Sequence, residues 1–236
     1  LGVVQNGPQI AADRYTYHSA TALSLLFGGA LLAWPRRAVA LRYASMVILV
    51  LLAALTWQQT GVWKNSSTFW ARVLSVDGNS AIGRNGRGAE LAEQGNAVEA
   101  MEEYRRSIAL NPRYVDPHNN LGYELAKVGR NAEAVAEYQA ALAIKPDFAD
   151  AEINWGNVLH GERRLSDAIV HFARAAAIDP AHSGAEFNWG ISLAEGGDLG
   201  QAVMHLERAA ALDPSDSDAR AALADVRRAL RGEMRP

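Results

Sequence analysis

The strongest constraint on this chain is a set of residues that recurs every 34 positions through its second half. Each repeat carries a glycine, an alanine, an aromatic or large apolar residue, a small residue and a proline. The members are Gly88, Gly122, Gly156 and Gly190; Ala100, Ala134, Ala168 and Ala202; Tyr104, Tyr138, Phe172 and Leu206; Ser107, Ala141, Ala175 and Ala209; Pro112, Pro146, Pro180 and Pro214. A period of this length indicates stacked structural units rather than one globular core.

Each of these columns has a physical reason in a stack of helical hairpins. The glycine of the first helix and the alanine of the second lie where the helices cross, because a larger side chain would hold them apart. The aromatic residue fills the gap between neighbouring hairpins. The proline ends the second helix, since it lacks the amide hydrogen that a helix interior requires. The pattern therefore predicts paired helices with a turn around each proline.

The pattern resembles the tetratricopeptide repeat (TPR). The resemblance implies an all-α fold in which antiparallel helix pairs form a right-handed superhelical solenoid. The repeat domain is predicted at 79–216, with repeats at 81–114, 115–148, 149–182 and 183–216 and a partial repeat or connector at 63–78. Residues 217–236 are predicted to form a capping helix and tail, whose inward-facing residues are Ala221, Leu223, Val226 and Leu230.

The first repeat departs from this pattern. Arg84 and Arg87 stand where large apolar residues are usual, and Gly83 and Gly86 each weaken the helix by about 1 kcal/mol relative to alanine. Two interpretations stay open for this segment. It is either a frayed turn close to the lipid or an anion site near the lipid headgroups.

Two segments without Asp, Glu, Lys or Arg precede the repeats, at 15–35 and 43–63. Each has about the 20 residues that span a bilayer core, and the stretch 46–55 has no polar face. The sequence therefore predicts a transmembrane hairpin at 1–62, with helices at about 15–35 and 43–62 that contact the lipid bilayer. The alternative is a pair of buried helices in a soluble core.

Charge gives this hairpin an orientation. Residues 1–78 carry six Lys/Arg and two acids, whereas 79–236 carry 17 Lys/Arg and 24 acids. Arg36, Arg37 and Arg42 lie between the two segments, so the positive-inside rule places this loop in the cytoplasm. An integral protein of the bacterial inner membrane with periplasmic repeats is expected, or lumenal repeats in a eukaryote. The acidic repeats argue against nucleic acid as a partner.

The sequence holds no recognisable catalytic constellation. It has no cysteine, and its six histidines match no metal-binding motif. The histidines fall at repeat positions that are usually exposed, so they are predicted to be solvated. No catalytic residue, metal or cofactor is therefore assigned, and this chain by itself is not expected to catalyse a reaction. Whether a parent protein is an enzyme stays open.

A recurring column of asparagines predicts a peptide-binding site. Asn120, Asn154 and Asn188 recur two positions before the crossing glycines, and a TPR superhelix turns this position into its concave groove. A carboxamide offers one acceptor and two donor hydrogens to a peptide backbone. The column resembles the asparagine ladder of the O-linked N-acetylglucosamine transferase repeats; equally, asparagine is ordinary TPR consensus here. Protein or peptide segments are the expected partners, and the flanking groove candidates are Tyr123, Asn157, Phe187 and Ile191.

The residues before the repeats carry a second resemblance. The phrase Ala-Asp-Arg-Tyr-Thr-Tyr at 12–17 precedes the first apolar segment, and Trp-Lys-Asn at 63–65 follows the second. This order resembles the C-terminal part of polytopic TPR-containing glycosyltransferases, such as the transmembrane and TPR-containing protein O-mannosyltransferases. The resemblance implies a parent protein that uses a polyprenyl-phosphate sugar and carries its catalytic acids upstream, so the chain is expected to be a piece of a longer protein.

Asp13 and Arg14 are candidates for contact with the donor phosphate under this resemblance, or for an ion pair that fixes the end of a membrane helix. The repeats would then bind the acceptor protein. Two other functions stay open. The chain is alternatively a non-catalytic membrane scaffold for envelope proteins, or the TPR tail of an O-antigen-ligase-like enzyme.

Overall fold

The computed structural model describes residues 43, 46–54 and 66–232. Residues 46–54 are helical, and from Ser66 the chain forms ten helices without a strand in the described ranges. The predicted all-α class is therefore confirmed for this part of the chain. The helices are α1 Ser66–Val76, α2 Ala81–Glu93, α3 Ala97–Leu110, α4 Val115–Lys127, α5 Asn131–Ile144, α6 Ala149–Gly161, α7 Leu165–Ile178, α8 Ser183–Glu195, α9 Leu199–Leu212 and α10 Ser217–Leu230.

The chain divides into two compact units, Leu1–Arg72 and Val73–Pro236. In the second unit the helices pack as consecutive pairs, α2 with α3, α4 with α5, α6 with α7 and α8 with α9. Each second helix also packs against the first helix of the following pair, and α10 packs on α9. This is the solenoid of helical hairpins that the 34-residue period predicts.

The crossing glycines bring the two helices of each hairpin into close contact. A Cβ atom on Gly122 would lie 2.5 Å from Cε1 of Tyr138, and one on Gly156 would lie 2.5 Å from Cε1 of Phe172. Gly88 faces Tyr104 and Gly190 faces Leu206 in the same way. The aromatic residue therefore packs first against its own hairpin, and not mainly in the gap between hairpins as the sequence suggested.

Two tryptophans join the hairpins into one apolar interior. Trp155 packs against a cluster that contains Tyr138 and also against the next cluster, which contains Phe172. Trp189 joins that second cluster to a third around Leu206. Because each indole ring contacts two clusters, the core continues from one repeat to the next.

The turn inside each hairpin reverses through one residue with a positive φ. This residue is Gly95, Gly129 and Gly197 in the first, second and fourth repeats. In the third repeat it is Arg163, with φ 62°. A residue with a side chain loses roughly 1–2 kcal/mol in this left-handed region. The Arg163 guanidinium forms an ion pair with Glu195, which ties this turn to the end of α8.

The first repeat is regular, so the interpretation of its start as a frayed turn is wrong. Helix α2 begins at the N-cap Ser80, whose hydroxyl accepts a hydrogen bond from the Gly83 amide at 3.1 Å. A Cβ atom on Gly83 would lie 3.0 Å from the side chains of Val73 and Leu74. The glycine that weakens the isolated helix thus allows a close approach to the end of α1.

The capping helix α10 presents a different face from the predicted one. Val226 is buried and Leu223 is half-buried, as expected, but Leu230 is 55% exposed and Ala221 is also exposed. Ala219 and Ala222 turn toward the core instead. The apolar stripe therefore follows the spacing 219, 222, 223 and 226, because residues three or four apart share one face of a helix.

Most of the predicted membrane hairpin at 1–62 lies outside the described residues, including Asp13, Arg14 and the loop from Arg36 to Arg42. Within the described ranges, no helix combines the length and the apolar character needed to cross a bilayer.

Two glycines of α6 give a matched test of the close contact. Gly156→Ala should lower the free energy of unfolding by about 1–3 kcal/mol, because the new methyl group overlaps Phe172. Gly161→Ala should leave it unchanged or raise it by up to about 1 kcal/mol, since nothing lies within 4 Å of that position and alanine favours a helix. Urea unfolding followed by circular dichroism measures both; equal shifts would refute a packing role for Gly156.

Candidate functional site: an asparagine-lined groove

The predicted asparagine column forms hydrogen bonds between successive hairpins. The carboxamide nitrogen of Asn120 donates to Oδ1 of Asn85 at 3.1 Å, and that of Asn154 donates to Oδ1 of Asn119 at 3.0 Å. Asn188 donates to Oδ1 of another predicted residue, Asn157, at 3.0 Å. Sequence reasoning found the donor column but missed Asn85 and Asn119.

These bonds leave part of each donor carboxamide available. The described residues supply no partner for the Oδ1 atoms of Asn120, Asn154 and Asn188, and each carboxamide nitrogen keeps a second hydrogen. A structural role for the column is therefore compatible with the predicted binding role. Each asparagine links two hairpins, and the same link fixes the orientation of an acceptor and a donor.

A depression of about 380 Å³ opens beside two of these carboxamides. It brings together three of the predicted residues, Asn120, Tyr123 and Asn154. Phe187 and Ile191 do not line it; both are half-buried and pack against the apolar cluster around Leu206. Four further lining residues were missed by sequence reasoning: Asn119, Asp150, Ile153 and His182.

One rim of the depression carries a separated donor and acceptor. His182 is the N-cap of α8, and its Nδ1 accepts a hydrogen bond from the Ala185 amide at 3.3 Å. The ring hydrogen is therefore assigned to Nε2, which lies 3.9 Å from Oδ1 of Asp150. This distance is too long for a hydrogen bond, so the Asp150 carboxylate is not bonded to His182.

A tyrosine contacts the first acceptor of the asparagine column. Asn85 donates from its carboxamide nitrogen to the hydroxyl of Tyr114 at 3.4 Å. Burial, followed by the nearby Asp116 carboxylate, raises the pKa of Tyr114 to about 12. The hydroxyl therefore stays neutral at physiological pH and serves as a hydrogen-bonding group rather than an anion.

A second periodic feature lies inside the hairpins. In every repeat a basic side chain on one helix contacts a carboxylate on the other, at positions 19 apart in the sequence. The N···O distances are 3.0, 2.7, 2.6 and 2.7 Å for the pairs Arg84–Glu103, His118–Glu137, His171–Glu152 and His205–Glu186. In the third and fourth repeats the carboxylate lies on the first helix, and in the first two it lies on the second.

These pairs overturn two expectations. His118 and His171 are buried and His205 is half-buried, so the prediction that they are solvated is wrong. The tryptophan of the same hairpin covers two of them, with Trp189 stacked on His205 at 3.7 Å between ring centroids. Arg84 forms its ion pair with Glu103, and Arg87 lies 2.9 Å from Glu90, so neither guanidinium supports the predicted anion site.

The comparisons with known proteins agree with this architecture. Residues 88–129 and 122–162 match the TPR repeat family. The solved structures of MamA and of PilF from Pseudomonas aeruginosa are each 21% identical to the chain, with TM-scores of 0.55 and 0.61. The alignments cover 61% of this chain and 85% of MamA, and 64% of this chain and 69% of PilF.

A third similar structure is YrrB, described as a TPR protein with an unusual peptide-binding site. It is 22% identical, has a TM-score of 0.55, and is aligned over 72% of this chain and 88% of YrrB. No curated protein sequence matches the chain. Residues 88–162 therefore carry TPR repeats, and the solved structures share the fold of stacked helical hairpins. The glycosyltransferase resemblance gains no support from these comparisons.

The reversed polarity of the buried pairs can be tested by exchange. His118→Glu alone should lower the free energy of unfolding by roughly 3–5 kcal/mol, because it places two carboxylates together in a buried site. Adding Glu137→His should recover most of the loss, since this arrangement occurs naturally in the third and fourth repeats. The coupling energy in a double-mutant cycle should exceed about 1 kcal/mol.

The control for this cycle is Arg130→Glu, which places like charges at the exposed pair with Glu133. It should cost much less, because water screens exposed charges. If His118→Glu and Arg130→Glu destabilised the protein equally, or if the double exchange restored nothing, the buried pairs would not fix the hairpin geometry.

Proposed function

We propose that the repeats bind an extended segment of a partner protein along the groove that the asparagines line. The observation that carries this proposal is the hydrogen bonding of Asn120, Asn154 and Asn188 to the preceding hairpin, which leaves their Oδ1 atoms without partners among the described residues. Peptide N–H groups are the natural donors for such oxygens. A bound segment would therefore be held through its backbone, largely independently of its side chains.

Fixed carboxamides suit this task because binding then orders fewer groups. A free asparagine side chain loses conformational freedom when it contacts a ligand, at a cost of the order of 0.5–1.5 kcal/mol for each rotamer-rich side chain immobilised. In this groove the bonds between hairpins, 3.0–3.1 Å long, already restrict the carboxamides. The solenoid supplies the extended concave surface that such recognition requires.

Removing the carboxamides should weaken peptide binding. Random-sequence peptides displayed on phage are selected on the 236-residue chain in detergent micelles, and the affinities of selected peptides are measured by fluorescence polarisation. Asn120→Ala combined with Asn154→Ala should weaken binding about five- to 150-fold, since each lost hydrogen bond contributes roughly 0.5–1.5 kcal/mol.

The matched control is Asn131→Ala. Asn131 also donates a hydrogen bond to the next hairpin, to Oε1 of Glu162 at 3.0 Å, but it does not line the depression. Its loss should leave peptide affinity unchanged while costing similar stability per bond. Unchanged binding by the groove variant, or equal losses for the groove and control variants, would contradict a binding role for the column.

We propose in addition that the segment around 46–54 anchors the chain in a membrane. In this helical stretch Met46, Val47, Ile48, Val50 and Leu51 are each more than half exposed. A helix that is apolar on all sides is stable when lipid or protein surrounds it, and not when it faces water. Membrane anchoring is thereby favoured over exposure of this helix to solvent. The orientation of the anchor rests on charge, because Arg36, Arg37 and Arg42 favour a cytoplasmic loop with the repeats on the opposite side.

Flotation with phosphatidylcholine vesicles tests the anchor. The chain should float with the vesicles, and Ile48→Lys combined with Leu51→Lys should prevent this, since each charge costs about 2.5–3.5 kcal/mol at the centre of a membrane helix. The same charges at Val170 and Met204, two exposed apolar residues of the repeats, are the control and should change nothing. The anchor would be refuted if the variant with lysines at 48 and 51 still floated, or if the wild type did not float.

The orientation is checked with Arg130→Cys, because the natural chain has no cysteine. A membrane-impermeant maleimide should label this position from the side opposite the loop at 36–42. Labelling only from the cytoplasmic side would reverse the proposed topology.

For the parent protein, we propose the acceptor-binding part of a glycosyltransferase that uses a polyprenyl-phosphate sugar. The proposal comes from the phrase at 12–17, which lies outside the described residues. A membrane scaffold and the tail of an O-antigen-ligase-like enzyme are the alternatives. They are distinguished by assaying the parent for sugar transfer to protein, for transfer to lipopolysaccharide, or for neither.

A further inference from the structure

The depression between α4 and α6 has a marked bias in charge. Of its seven lining residues, only Asp150 is an acid, and none is Lys or Arg. The Asp150 side chain is 60% exposed, and within the described part of the chain no hydrogen bond to its carboxylate is formed. His182 is 3.9 Å away and already uses Nδ1 to cap α8. The carboxylate therefore faces the depression without a strong partner.

The other groups around the depression also favour a cation. The Oδ1 atoms of Asn120 and Asn154 are acceptors without partners among the described residues. The ring of Tyr123 is 50% exposed. An ammonium group already lies near it, since Nζ of Lys127 is 5.4 Å from the ring centroid. Lys127 is held there by Glu124 at 3.1 Å and lies outside the lining, so it does not occupy the depression.

The equivalent positions in neighbouring repeats differ from this one. Asp116, one repeat earlier, lies close enough to Tyr114 to raise the pKa of its hydroxyl, and Gly184 stands at the equivalent place one repeat later. Asp150 lies in the first turn of α6, where an acid also stabilises the helix end. If Asp150 only stabilised the helix, its replacement would not change which side chain the depression prefers. The experiment below measures that preference.

We propose that this depression binds a lysine or arginine side chain of the partner segment, with the carboxylate of Asp150 as its ion-pair partner. The proposal rests on the proposed function, because the side chain is delivered by a peptide lying in the groove. Each carboxamide oxygen has two lone pairs, so Asn120 and Asn154 accept one hydrogen bond from the peptide backbone and one from the charged head. The Tyr123 ring packs against the aliphatic stem of the bound side chain. An acidic side chain at this place is repelled.

Selection of random-sequence peptides on the 236-residue chain tests the assignment. Peptides selected by the wild type should be enriched in Lys or Arg at one position, and replacing that residue with Gln should weaken binding about two- to tenfold. Asp150→Asn should remove this preference without changing the thermal midpoint of unfolding by more than a small amount. Asp150→Lys should reverse it, so that Asp or Glu is enriched at the same position.

The possible outcomes separate this proposal from the function on which it rests. Peptides that need Asn120 and Asn154 but carry no basic residue would overturn the assignment and leave peptide binding in the groove intact. A basic preference that persists in Asp150→Asn and Asp150→Lys would also overturn it. If no selected peptide depended on the groove asparagines, both proposals would fail.

Discussion

The repeats depend on how closely two helices approach at the crossing glycine. In each hairpin the space for a Cβ atom is already occupied by Tyr104, Tyr138, Phe172 or Leu206, at 2.5–2.7 Å. This contact sets the distance between the two helices, and the second helix in turn carries the first helix of the next hairpin. A solenoid repeats the same spacing in every hairpin, so a change in the spacing at one glycine alters the position of the next hairpin. The asparagine bonds between hairpins can form only because each step is reproduced.

The buried ion pairs add a second constraint to the same hairpins. What recurs is complementarity between two positions and not a residue type, since arginine, histidine and glutamate exchange places from repeat to repeat. A hydrogen bond to a buried carboxylate offsets part of the cost of removing that carboxylate from water, whereas a buried carboxylate left without its partner is costly. We infer that these pairs contribute more to the register between the two helices than to stability. A shifted hairpin would bury a carboxylate such as that of Glu186 without a partner.

The sequence predicted the features that one residue type determines through backbone geometry. It missed the side-chain pairs, which involve two positions at once. A glycine that allows helices to touch, or a proline that ends one, has no substitute, so these residues form uniform columns. The pair His171–Glu152 belongs to two columns of mixed composition, and neither is uniform enough to be noticed. Likewise Asn120 and Asn85 are 35 positions apart and not 34, because the donor and acceptor occupy adjacent columns. Asp150 and His182 meet only after the hairpins stack.

The same register explains why the groove changes character along its length. The donor column is asparagine in the last three repeats, but the acceptor column reads Asn85, Asn119, Ile153 and Phe187 from the first repeat to the fourth. Because Ile153 cannot accept a hydrogen bond, Asn188 bonds to Asn157, one helical turn farther along α6. The hydrogen bond between hairpins is therefore kept at the last step, although its acceptor comes from a different column of the preceding helix.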